Sequence, residues 1–367
     1  MLENQLFLAG IALGIGFLAG VLLFVPFVAL SYRRRGRLEL GRTLLWAAAL
    51  VYFWAIWTFT LLPLPTPGEF QCAGTNLQLL QMRQDITAAI DRNQGINLGL
   101  LSDVAILQLV LNVVLFLPLG FFLRVLANRG VVIATLTGLA TSLFVEVTQL
   151  TGVWGLYSCA YRVFDVDDLL VNTLGALLGS ILALMIPGAR SRRVPEEVAA
   201  RPQPVTRTRR LIAMICDLLT YTLVTFVLAG LIRLVMIFVL DERDLALDTD
   251  IATQITTAVV FALYLVIVLA TGRTPGDFAV ELRYHGGPVP RLVARPLRFI
   301  AGIGGYALLQ LLGWDGIASL FTLLSLAVWI FTAHGRGLPG LLSGQRLSDS
   351  REMNQPVEPE EKVQSVE

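Results

Sequence analysis

Runs of about 20 apolar residues, the length that crosses a hydrocarbon core of about 30 Å as a helix, recur through this chain. They lie near 5–31, 44–64, 104–127, 131–152, 168–187, 211–240, 254–271, 299–313 and 317–333. In lipid only helices and closed barrels satisfy their own backbone hydrogen bonds, and runs this continuously apolar read as helices. The expected fold is all-α: a polytopic transmembrane helical bundle of about nine spans, arranged as two bundles of five plus four. The last two runs are short and separated by Trp314, Asp315 and Gly316, so a tight hairpin is preferred to a single bent span. Composition agrees, because 55% of the 367 residues are hydrophobic and 15% charged, against about 25% charged in soluble domains.

The net charge of +1 gives nucleic acid nothing to bind, and the position of the charges says more than their sum. With the N-terminus outside, 23 of the 28 basic residues, Lys362 among them, fall in cytoplasmic segments. Arg83, Arg92, Arg162 and Arg243 fall outside, and Arg233 lies within a span. The expected protein is therefore multi-pass in the cell membrane, N-terminus outside and C-terminus cytoplasmic, with membrane lipids as its surroundings. Arg33–Arg35, rather than a cleavage site of small residues, follow the first apolar run, which reads as a retained span.

Residues 188–206 are rich in proline and charge and read as a cytoplasmic linker. They divide a first transmembrane domain, 1–187, from a second, 207–347, and the polar, acidic stretch 348–367 reads as a disordered tail. The long outer segment 65–103 suggests an amphipathic helix through Leu77, Leu80, Gln84 and Ala88. It either caps the bundle or contacts a ligand.

The polar residues of the first half fall at one depth. Glu146 and Gln149 lie one turn apart in the fourth span, and Asn112 is about 12 Å into the third at 1.5 Å per residue. Asp165, Asp168 and Asn172 follow i, i+3, i+7 spacing at the start of the fifth span, with Arg162 just before them. A charge within the bilayer costs at least about 2.5–3.5 kcal/mol, so these groups must face each other, water or a ligand. They read either as polar contacts joining the helices or as a site, and the surplus of Glu146, Asp165, Asp167 and Asp168 over Arg162 favours a site. Gly175 and Gly179 form a GxxxG pattern suited to close helix approach, and Pro118 is expected to kink the third span.

Cys72, Cys159 and Cys216 lack the paired spacings of a zinc or redox motif, so no metal and no cofactor is expected. Cys72 and Cys159 both fall in outer segments, where disulfides persist, and are expected to pair. Cys216 reads as packing.

NVVLFLPLGFF (112–122), the Glu146 and Gln149 pair and YRVFDVDDLLVNTLGALLG (161–179) resemble the VanZ-like family of bacterial membrane proteins, over about residues 40–187. The resemblance implies a role in low-level resistance to teicoplanin-type glycopeptides. Its matching positions are Asn112, Glu146, Gln149, Arg162, Asp165, Asp168 and Asn172. The second half, from Arg210 to about Leu347, looks like a degenerate RDD family domain, with Arg210 and Asp217 in RRLIAMICD as its polar pair. On the residues alone that pair is a structural ion pair in preference to an ion-coupling site.

Three functions compete. One is an accessory protein of the bacterial cell envelope that binds a lipid-linked cell-wall precursor or a glycopeptide at the outer leaflet. The second is a cation or proton transporter working through the RDD-like half. The third, an intramembrane enzyme with Glu146 as general acid or base, ranks last: the chain has no GxSxG or HExxH, and His285 and His334 fall on the cytoplasmic side.

Overall fold

The computed structural model describes residues 2–66, 70–186, 195–241 and 249–352. Pro187–Val194 of the expected linker, Arg243, and 353–367 of the expected tail lie outside them. Among the described residues the chain is all-α apart from four short strands, a helical membrane fold. Six helices are long and apolar enough to span a bilayer, and a seventh span is reached if a bent helix pair counts as one. The expected nine also count shorter apolar helices, described below.

The chain divides into two compact units, one of residues 1–20 and 39–193, the other of 21–38 and 194–367. The first helix, α1 (Leu2–Arg35), contributes its first part to one and its second part to the other.

The first unit continues with α2 (Leu40–Leu61), α3 (Met82–Arg92), α4 (Val104–Val125), α5 (Val131–Leu150), a single turn α6 (Gly152–Gly155) and α7 (Val166–Leu182). The backbones of α4 and α7 approach each other closely. A Cβ on Gly179 would lie 1.7 Å from the Leu117 carbonyl oxygen, one on Gly175 2.4 Å from that of Val113, and one on Gly120 1.8 Å from that of Ala176. The GxxxG pattern thus meets a glycine on its partner, the close approach that small residues permit where no hydrophobic effect drives helices together. At the far end of the pair, buried Arg124 donates to Ser180 Oγ at 3.0 Å.

Two expectations change here. The helix proposed for the outer segment begins only at Met82, because Thr75–Asn76 form a strand, β1, parallel to β2 (Phe164–Asp165), and Leu80 takes a positive φ of 66°. Leu77 and Leu80 therefore precede the helix and lie exposed. The fifth span is a helix of 17 residues, about 25 Å at 1.5 Å per residue: its aspartate cap starts it at Val166, two residues before the expected run, and it ends at Leu182, five residues short of it.

The second unit contains α8 (Glu196–Ala200), α9 (Arg207–Phe238), α10 (Thr249–Thr271), α11 (Pro275–Ala279), β3 (Leu282–His285), α12 (Arg291–Ile300), α13 (Ile303–Leu311), α14 (Asp315–Phe331), α15 (Gly337–Ser343) and β4 (Arg346–Asp349). Its core is built around Val28, Tyr32, Ala213, Cys216, Val280 and Leu282, with a second cluster around Tyr221, Val260, Tyr264 and Phe299. The run near 299–313 is broken, since α12 and α13 meet at 60° across Gly302, which is not helical. α13 then packs against α14 as a separate helix.

Polar segments expected to be loose are ordered by charge. β4 pairs antiparallel with β3, Leu282 opposite Asp349, so residues 346–349 belong to the fold. The fully buried Asp349 carboxylate accepts from Arg209 Nη2 at 2.8 Å and from the Gln203 amide at 3.0 Å. That contact ties Gln203, in the second part of the expected linker, to Arg209 at the start of α9.

Candidate functional site

The acidic and amide residues of the first unit gather where α7 begins. Asp165 is not on the face of that helix, as the i, i+3, i+7 spacing suggested. It is the N-cap, with extended backbone, and its Oδ1 accepts from the Asp167 amide at 2.8 Å. This is the capping role for which a short acidic side chain is preferred, and it starts α7 at Val166.

Asn112 Nδ2 donates to Asp168 Oδ1 at 2.7 Å, linking α4 to α7. Glu146, 3% exposed, reaches from α5 so that its Oε2 accepts from the Asp165 amide at 3.1 Å. Asn172 Nδ2 donates to Ser142 Oγ at 2.9 Å, while its buried Oδ1 has no hydrogen-bond partner. Gln149 Nε2 and Arg162 Nη1 both donate to the Thr60 carbonyl, at 2.7 and 3.0 Å. Asn76 Nδ2 donates to Asp165 Oδ2 at 3.1 Å from β1.

The structure therefore brings Asn112, Glu146, Asp165 and Asp168 to one segment, and ties Gln149 and Arg162 to the end of α2 rather than to an acid. Arg162 is exposed. Among the described residues none of Glu146, Asp165, Asp167 and Asp168 forms an ion pair. An unpaired buried charge is costly, so such a cluster is arranged for protons or for a donor supplied from elsewhere.

Asp167 was missed as a positioning residue. It is buried, and its two oxygens accept from the Leu80 and Met82 amides at 2.7 Å each, which seats the start of α3. The FDVDD run marks it as acidic but does not show that a segment 85 residues upstream bends onto it. Ser142 and the Thr60 carbonyl were also missed, the latter because any residue carries one.

A covalent tie holds the surrounding loops. Cys72 and Cys159 are bonded, spanning 87 residues, the Ala73 amide donates to the Ala160 carbonyl at 2.8 Å, and Tyr157 Oη donates to the Pro65 carbonyl at 2.9 Å. Cys216 is free and buried.

In the second unit Arg210 and Asp217 do not bond to each other. Arg210 Nη1 pairs with Asp277 Oδ1 at 2.7 Å. The Asp217 oxygens accept from the Gly276 amide and Thr274 Oγ1, each at 2.7 Å. Both side chains thereby hold the 274–277 turn, where Thr274 and Asp277 form a capping box.

Among the described residues no group of histidine, cysteine, aspartate and glutamate has the geometry to hold a metal ion. No curated protein and no solved structure matches the chain. The residues that build the acidic and amide cluster nonetheless fall within 49–187, which matches the family model described as VanZ/LLP1, so this part of the chain is VanZ-like.

Proposed function

We propose that this multi-pass membrane protein is an accessory protein of the bacterial cell envelope, and that its acidic and amide cluster binds an amine-bearing ligand at the outer leaflet. The ligand class is a lipid-linked cell-wall precursor or a glycopeptide of the teicoplanin type, and bound ligand changes how far the drug reaches its target. One observation carries the reading. Glu146 and Asp168 come together at the start of α7, each with one oxygen engaged by its own chain and neither in an ion pair among the described residues, while the nearby cation, Arg162, is spent on a backbone carbonyl. A cationic donor supplied from outside completes that arrangement. The VanZ-like match over 49–187 supports the link to glycopeptides.

Transport through the second unit has less support. Asp217 is buried with both oxygens already engaged by its own chain, which leaves no bare carboxylate for an ion.

The test is Glu146→Gln, which keeps the side chain's volume and an oxygen to accept from Asp165 while removing the charge. Loss of a charge-assisted hydrogen bond, worth about 1.5–3 kcal/mol, weakens labelled glycopeptide or precursor binding to proteoliposomes about tenfold or more. Teicoplanin susceptibility of cells carrying the variant shifts with it. Unchanged binding and susceptibility in well-inserted protein would sink the reading.

A further inference from the structure

The second unit holds a pocket of about 280 Å³ unrelated to the acidic cluster, and its lining is the opposite in charge. Arg283, Arg291, Arg295, Arg298 and His285 all face it, and no aspartate or glutamate does. Among the described residues none of the four arginines is in an ion pair. Two of them are held in place by neutral groups. Arg298, buried, donates to the Gly272 carbonyl at 2.6 Å and to Gln345 Oε1 at 3.2 Å, and its guanidinium stacks over Tyr284 at 4.7 Å. Arg295 donates to the Leu269 and Ala270 carbonyls at the end of α10.

Four guanidinium groups lining one cavity repel each other, and an anion between them relieves that repulsion. Backbone geometry fits the same ligand. β3 runs out through Gly286 and Gly287, with φ of 66° and 90°, to the start of α12 at Arg291. These residues also line the pocket, so the first amides of a ten-residue helix open beside it, where an anion is favoured.

α12 identifies the source of that anion. It carries Arg291, Arg295 and Arg298 along one side, yet its Leu292 and Val293 are 89% and 55% exposed. A helix with cationic and bare aliphatic faces lies in a membrane interface, and this one leads directly into the bent span formed with α13. We infer that the arginine pocket is a binding site for the phosphate headgroup of an anionic lipid in the adjacent leaflet, with α12 as its interfacial wall. Planar guanidinium groups match phosphate oxygens in pairs, and basic pockets beside spans take such headgroups.

The experiment uses the full-length protein in neutral detergent. It is titrated by calorimetry with short-chain phosphatidylglycerol, short-chain phosphatidylcholine and inorganic phosphate. Phosphatidylglycerol is expected to bind at least about tenfold tighter than phosphatidylcholine, and to weaken about tenfold in the double variant Arg291→Gln with Arg295→Gln. Arg129→Gln, in the other unit, leaves the affinity unchanged. Equal affinity for the two lipids, or a double variant that binds phosphatidylglycerol as wild type does, overturns the inference. Inorganic phosphate that binds as tightly as phosphatidylglycerol overturns the lipid source and assigns the pocket to a soluble phosphate. If the double variant does not fold, Arg291→Gln alone, at an exposed helix end, gives the same readout. Glycopeptide binding stays intact in every one of these variants, which separates this site from the acidic cluster.

Discussion

At the head of α4, Asp103 does two things with one carboxylate. Its Oδ1 accepts from the Ala105 amide at 3.1 Å, and it grips Arg92 through contacts of 2.9 and 3.0 Å to Nη2. The bond from Arg92 holds its carboxyl below the usual carboxylate range. A carboxylate with a lowered folded value contributes stability that is fully present above the unfolded value, about 4. That contribution is lost as pH falls through the folded value. Asp103→Asn, which keeps a capping oxygen, is therefore expected to reduce hydrogen-exchange protection of amides 104–107 near pH 6 and to matter progressively less as the pH falls below about 4. An equal effect at both would show that the cap, not the charge, matters. What made individual site residues legible was the rarity of their type. Glu146, Asn112 and Asn172 stand out because acids and amides are costly within a span. Thr60 does not, because it acts through a carbonyl that every residue has. Asp167 does not, because its value lies in two amides that only folding brings to it.

Elements were legible where local chemistry sets them and illegible where a distant partner does. The GxxxG of α7 could be read, but its partners, Gly120 and the carbonyls of Val113 and Leu117, could not. Gly179→Val is expected to separate α4 from α7, since even its Cβ would meet the Leu117 carbonyl at 1.7 Å. Overpacking of this kind costs about 3 kcal/mol or more. Thermal unfolding in detergent checks it against Gly10→Val, a position with open space around it, which leaves the midpoint unchanged. The same distinction explains the span count. Hydropathy finds apolar runs, but it does not register that α7 ends at Leu182 with 17 residues, or that Ala301 and Gly302 break the run near 299–313. The helix expected from Leu77 failed for a related reason: β1 and the anchor at Asp167 claimed its first turn.

For the molecule as a whole, the helical membrane fold was readable from apolar length. The assignment of residues 21–38 of α1 and its following turn to the second unit was not, because nothing in an apolar run says which neighbour it will meet. The disulfide is a global constraint of the same order. Closing 87 residues stabilises by up to about 4 kcal/mol in the chain-entropy account. Cys72→Ser with Cys159→Ser is expected to lower the unfolding midpoint and to expose 63–103 to protease. In wild type, denaturing alkylation before reduction labels Cys216 alone, and labelling of Cys72 or Cys159 at that stage would count against the bond. Asp349 imposes an order in time. Arg209, only 3% exposed, meets the carboxylate that neutralises it 140 positions later, and β3 waits for the same four residues to become a ladder. A chain cut before residue 346 would therefore leave the Arg209 guanidinium on the carbonyls of Gln203, Val280 and Glu281 with no carboxylate to neutralise it.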